Sequence, residues 1–186
     1  MVFPTTEDKL AYSLSEVIAA SRHLRTQIAD FQKAFPTHEL DSLILDGLQL
    51  IEEETHPEKL QYETEDLQAR RGFVIETVYP GALQRLSEFQ NHVCRFALRQ
   101  RVNQIKPVVG KKLRIDLNGS WTHLIHLSNR LVVLQNELSE NSDLKKYDLR
   151  KVAKLCAEVD AEWSQYHAKR KSAVISRLHR ATKRVV

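Results

Sequence analysis

Three features of the sequence predict an all-α fold, an elongated bundle of about six helices whose first and last members are the longest. Five glycines and five prolines in 186 residues are too few for an all-β chain, which needs turn residues every ~8–12 positions. Leu10, Leu14, Val17, Ser21, Leu24, Ile28, Phe31 and Phe35 follow alternating steps of four and three. That is a coiled-coil-like heptad seam with Ser21 as its only polar member. Residues 142–186 contain no glycine or proline, and Leu149, Val152, Cys156, Val159, Trp163 and Tyr166 recur at helical spacing on one face.

The elements follow in chain order. Thr5-Thr6-Glu7-Asp8 after Pro4 suits a helix start, with hydroxyl caps and first-turn acids. Pro36 ends that first helix, because a residue before proline is pushed out of the helical region. Thr37 is a candidate cap for a second helix with Leu40, Leu43, Ile44, Leu48 and Ile51 on one side. Glu52, Glu53 and Glu54 crowd its C-terminal end, where the helix dipole disfavours anions by a few tenths of a kcal/mol each. Basic groups elsewhere in the fold are expected to neutralise them. Pro57 suits the first position of a third helix, with Leu60, Thr64, Leu67 and Arg71 as its weak seam. Residues 72–79 fit either a strand or a helix, and helix is favoured because no partner strand is evident. Pro80-Gly81 is read as a break. Beyond it Leu83, Leu86, Phe89, Val93, Phe96 and Ala97 share one side of a helix ending near Lys106-Pro107.

Residues 108–119 read as the longest loop, with Leu113, Ile115 and Leu117 as a short extended piece and Asn118-Gly119 as a turn signal. Ser120 caps a helix carrying Leu124, Leu127, Leu131, Leu134 and Leu138, and Asn141-Ser142-Asp143 separates it from the last helix. The whole chain, 1–186, is read as one helical domain, with its basic end, about 168–186, projecting. Helices of ~30 and ~40 residues are roughly 45 and 60 Å long, more than a compact domain of this size spans. Such helices project or pair with another chain through their seams.

Composition narrows the classes. The N-terminus has no basic region leading into an apolar run, so it does not read as a signal peptide, and no stretch approaches the ~18 apolar residues of a membrane span. Cys94 and Cys156 lie on apolar helix faces and read as buried free thiols. The expected setting is cytoplasmic, or nuclear in a eukaryote.

The net charge of +4 hides a strong pattern. From Glu39 to Glu76 eleven acids face three lysines and arginines; from Arg95 to Arg114 there are seven bases and no acid; from Lys169 onward there are seven more and no acid. On a wheel of ~100° per residue, Arg170, Arg177, Arg180, Lys183 and Arg184 fall on an arc beside Val174, Leu178, Ala181 and Val185. A stripe of this kind neutralises phosphates and releases counterions. A solvated face that aids solubility is the alternative reading, and a surface for anionic lipid a weaker one, because bulky apolar residues are sparse after Leu178.

Candidate contacts to nucleic acid, DNA or RNA, are therefore Lys169, Arg170, Lys171, Arg177, Arg180, Lys183 and Arg184, followed by Arg99, Arg101, Lys111, Lys112 and Arg114. With Phe96 read on the apolar side of its helix, no aromatic is expected to interleave the exposed bases of the Arg95–Arg114 run, so base stacking is not expected there. The rival reading is an assembly adaptor whose basic helix docks on an acidic protein surface. His123 and His126, three apart, are a weak metal signal. Trp163 reads as core, while Trp121, beside the basic loop, is open to either role. No nucleophile elbow, phosphate-binding glycine loop, triad spacing or di-iron motif is present. The chain is expected to be non-enzymatic, without metal or cofactor.

Overall fold

The computed structural model describes residues 13–61, 64–110, 120–140 and 146–182. Regular structure among these residues is helical throughout, with no strand. The α-helices are α1 (Leu14–Ala34), α2 (Ser42–Glu53), α3 (Glu65–Phe73), α4 (Tyr79–Gly110), α5 (Ser120–Glu140) and α6 (Lys146–Thr182). A 3-10 turn covers Pro57–Gln61 and a π-helical stretch covers Val74–Val78. Because α3, the π stretch and α4 follow without a break, the expected six helices reduce to five packed rods. The last helix is the longest, at 37 residues. The first is 21 residues, shorter than the 32 of α4: it begins after Ser13, whose backbone is extended and whose N–H donates to Glu16 Oε2 at 2.8 Å, so one helix does not run unbroken from Thr5 to Phe35 as expected. Thr5 itself lies outside the described residues, as do Leu113, Ile115, Leu117 and the Asn141-Ser142-Asp143 separator.

Pro80-Gly81 does not break the chain, contrary to expectation. In an α-helix the ring of Pro80 would press on the carbonyl of Glu76, four residues back. The π stretch lies directly ahead of it, and the Tyr79 N–H donates to the Val74 carbonyl five residues back. The widened turn makes room for the ring and lets the helix continue. The 72–79 segment is helical, as favoured. The same helix also passes Pro107 and ends at Gly110.

The chain divides into two compact units, 1–90 and 91–186. In the first, α1 packs on α2 and on the π stretch. Its core joins Val17, Ala20, Leu24 and Ile28 of α1, Ile44 and Ile51 of α2, Val74, and Ala82 and Leu86 of α4. The α1 seam is buried at Val17, Ser21, Leu24, Ile28, Phe31 and Phe35. Phe31 meets Phe89 edge-on, with centroids 5.4 Å apart. Such an aromatic pair adds ~0.5–1.5 kcal/mol to the area it buries. The helix stops where expected, with Phe35 as its C-cap ahead of Pro36.

Helix α2 starts later than Thr37 suggested. Asp41 is the cap, its Oδ1 accepting from the Leu43 N–H at 3.1 Å. The third segment also differs from expectation. Pro57 opens only the short 3-10 turn, and α3 begins after Thr64, whose Oγ1 accepts from the Leu67 N–H at 3.3 Å. Two of the three acids at the end of α2 meet bases as anticipated, while Glu53 accepts from the neutral amide of Gln49 at 3.1 Å. Arg25 Nε donates to Glu52 at 2.6 Å and Lys59 Nζ to Glu54 at 2.9 Å.

In the second unit, α5 packs along α6. Leu124, Leu127, Leu131 and Leu134 of α5 and Leu149, Val152, Leu155, Cys156 and Val159 of α6 are buried. Helix α4 buries Val93, Cys94, Ala97, Leu98 and Ile105 in this unit. Both cysteines are free. Two ion pairs tie the helices, Arg101 of α4 to Asp160 of α6 and Arg130 of α5 to Glu158 of α6, each at 2.7 Å.

Candidate nucleic-acid interface

The seam of α6 ends in an aromatic cluster. Tyr166 is buried and stacks on Trp163, with centroids 5.8 Å apart and planes at 24°. His167 meets Trp163 edge-on at 4.7 Å. Trp163 is half-buried, so it shares the seam without being sealed in it. Tyr166 is the last buried residue of α6 among those described, and from His167 to Ser176 only Ala173 is even half-buried. Lys169, Arg170 and Lys171 lie exposed in this stretch. The sequence holds no acid after Glu162. Val174 and Ile175 beside them are 50% and 44% exposed, the only large apolar side chains exposed on α6 among the described residues.

The other expected contacts divide. Arg177 and Arg180 belong to the α6 backbone, with side chains outside the described set. Lys183, Arg184, Lys111, Lys112 and Arg114 lie outside the described residues, and so does the Trp121 side chain. Arg99 is exposed on α4. Arg101 is set apart: its side chain is only 20% exposed, it donates to Asp160 at 2.7 Å, and it also donates to the Ala97 carbonyl. It clamps α4 to α6.

The main difference from the sequence reading is Phe96. It was placed on the apolar side of its helix, yet it is 49% exposed. It shares the outer face of α4 with His92, Arg95 and Arg99, which, with Gln135 of α5, line an open groove of about 340 Å³. An aromatic therefore does stand within the Arg95–Arg114 run. The signal was in the spacing. Phe96 is two residues from both Cys94 and Leu98, which are buried, and two residues on a helix turn roughly 200°.

Other candidates are less developed. His123 Nε2 faces Glu162 at 3.7 Å, and among the described residues no group of three or more His, Cys, Asp or Glu side chains is placed to hold a metal ion. No described helix is long and apolar enough to cross a membrane. Burial pushes the Cys156 thiol up to about 11, with Asp160 adding to the shift and Arg101 opposing it, so the thiol is a poor nucleophile near neutrality.

Charge is partitioned between the units. Residues 1–90 carry sixteen acids and eight lysines and arginines, net −8; residues 91–186 carry eight and twenty, net +12. Comparison with protein-family models, curated proteins and solved structures finds no match to this chain.

Proposed function

We propose that the protein is a non-enzymatic helical accessory of a nucleic-acid complex, contacting phosphates through the basic end of α6. One observation carries this reading: Lys169, Arg170 and Lys171 stand exposed beyond the last described buried residue of α6, in a segment without acids. Cations with no acid in their segment and no burial cost are the groups that displace condensed counterions from a polyanion. Five to seven such contacts give a slope of log affinity against log salt of about −4 to −6. The test is binding of a labelled duplex oligonucleotide across a salt series. It compares the full chain with a full-length variant in which Lys169, Arg170, Lys171, Arg177 and Arg180 are changed to Gln. Loss of affinity and a shallower slope support the reading; no duplex binding by the native chain at low salt overturns it.

A second reading is favoured by Val174 and Ile175. Half-exposed aliphatic side chains next to a basic stripe suit an amphipathic helix that docks on an acidic protein groove. Under this reading the protein is an assembly adaptor. Oligonucleotide binding is then absent, and a size measurement in solution detects the partner or a second copy of the chain.

A further inference from the structure

We infer that the groove lined by His92, Arg95, Phe96, Arg99 and Gln135 binds single-stranded nucleic acid, with a base stacked on Phe96 and the flanking phosphates on Arg95 and Arg99. The inference rests on the nucleic-acid reading above and adds to it a second contact and a substrate class.

The four α4 residues are spaced i, i+3, i+4 and i+7, which puts them on one stripe of the helix. That stripe lies opposite the side that buries Cys94, Leu98 and Ile105. Lys106, exposed about two turns further along α4, falls on the same stripe. Phe96 is 49% exposed with arginines on two sides. A large aromatic held at the surface among cations contributes little to the core, yet it has the two components of a single-strand platform: a π-face for a base and positive charge for the backbone. Arg95 and Arg99 are one turn apart, roughly 6 Å along the axis, on either side of the ring in sequence.

The groove, about 340 Å³, falls in the range of ~300–1,000 Å³ that takes small organic groups, enough for a nucleotide. Gln135 contributes an amide able both to donate and to accept at a base edge. The sequence from Phe89 to Ile115 holds no acid, so the nearest carboxylate on this stripe of α4 is Glu88, one turn before His92 and two before Arg95. A base stacked in a duplex has no free face to offer Phe96. The site therefore selects unpaired strands, whereas the α6 tail, acting on phosphates alone, does not discriminate.

The experiment measures binding of labelled oligo(dT) and of a duplex of equal length. It compares the native chain with Phe96→Ala, with Arg95→Gln/Arg99→Gln, and with the five-site Gln variant of α6. Phe96 is half-exposed, so its replacement leaves the fold intact, as a thermal melt verifies. Phe96→Ala is expected to weaken oligo(dT) binding at least about fivefold, the low end of one lost stack, and to leave duplex binding unchanged. The double arginine variant is expected to make the oligo(dT) salt slope shallower by about one to two. Equal effects of Phe96→Ala on both probes, or no effect on oligo(dT), overturn the groove. In that case duplex binding lost in the α6 variant still upholds the tail. If the α6 variant binds both probes like the native chain while Phe96→Ala weakens oligo(dT), the groove stands and the tail reading fails. No binding of either probe at low salt overturns both.

Discussion

Two glycines show how local surroundings decide the sign of one substitution. Both sit in helices, where alanine is favoured by ~0.8–1 kcal/mol. A Cβ on Gly47 would lie 2.9 Å from the Cβ of Ala82, while one on Gly81 meets nothing within 4 Å. Ala82 is nearly buried and has no flexible end to move aside. Overpacking of this kind costs ~1–3 kcal/mol, so Gly47→Ala is expected to lower the melting temperature and Gly81→Ala to raise it. The scale is about 2–4 °C per kcal/mol for a chain of this length. Ala82→Gly should recover part of the Gly47→Ala loss, which a thermal melt of the pair would register. Cys156 makes a separate prediction. Its thiol is raised from 9.0 to about 11 by burial, so the unfolded chain gives up that proton first. Stability should therefore fall as pH rises between about 9 and 11, and denaturant titrations of Cys156→Ala should show a flatter decline over that interval.

Helix α1 anchors its C-terminal end with a buried aromatic. Phe31 is fully buried and touches the rings of Phe35 and Phe89. Phe31→Ala is expected to cost ~3–5 kcal/mol, read from equilibrium unfolding. The distal part of α6 is its opposite. Changing Lys169, Arg170 and Lys171 to Gln should alter stability by no more than ~0.5 kcal/mol, since none of them is buried. Seams were the legible part of this fold. The α1 heptad and the α6 face were read from spacing alone, because burial of an apolar stripe is set by periodicity. Helix boundaries were less legible. Thr37 and Asp41 are both competent caps by residue type, and the helix takes the second, whose side chain accepts from the Leu43 N–H. Pro80 reads as a break because a proline in isolation gives no hint of the widened turn that accommodates it. At the candidate site, the basic stretch of α6 was visible as composition. Phe96 was not, because it stands three residues from Val93 and so fits the apolar spacing, while the burial of Cys94 and Leu98 turns the inner side of α4 away from it.

The molecule as a whole is divided electrically, net −8 over residues 1–90 and net +12 over 91–186. A polyanion should be attracted to one unit and repelled by the other. Hydrogen exchange with and without oligonucleotide is expected to show slowed exchange confined to 91–186, with residues 13–90 unaltered; slowing within 13–90 would count against the electrostatic division. The widened turn at Val74–Val78 has a consequence of its own for how this chain tolerates change. It takes up one extra residue within a single turn, so the positions on either side keep the phase of an ordinary helix. Deleting one residue there would return the backbone to ordinary pitch with Ala82 and Leu86 still turned toward the first core, but the ring of Pro80 would then meet the carbonyl four residues back. Length in this short stretch is thus tied to one imino acid, and a shortened variant should lose stability with Pro80 in place and regain it when Pro80→Ala is added.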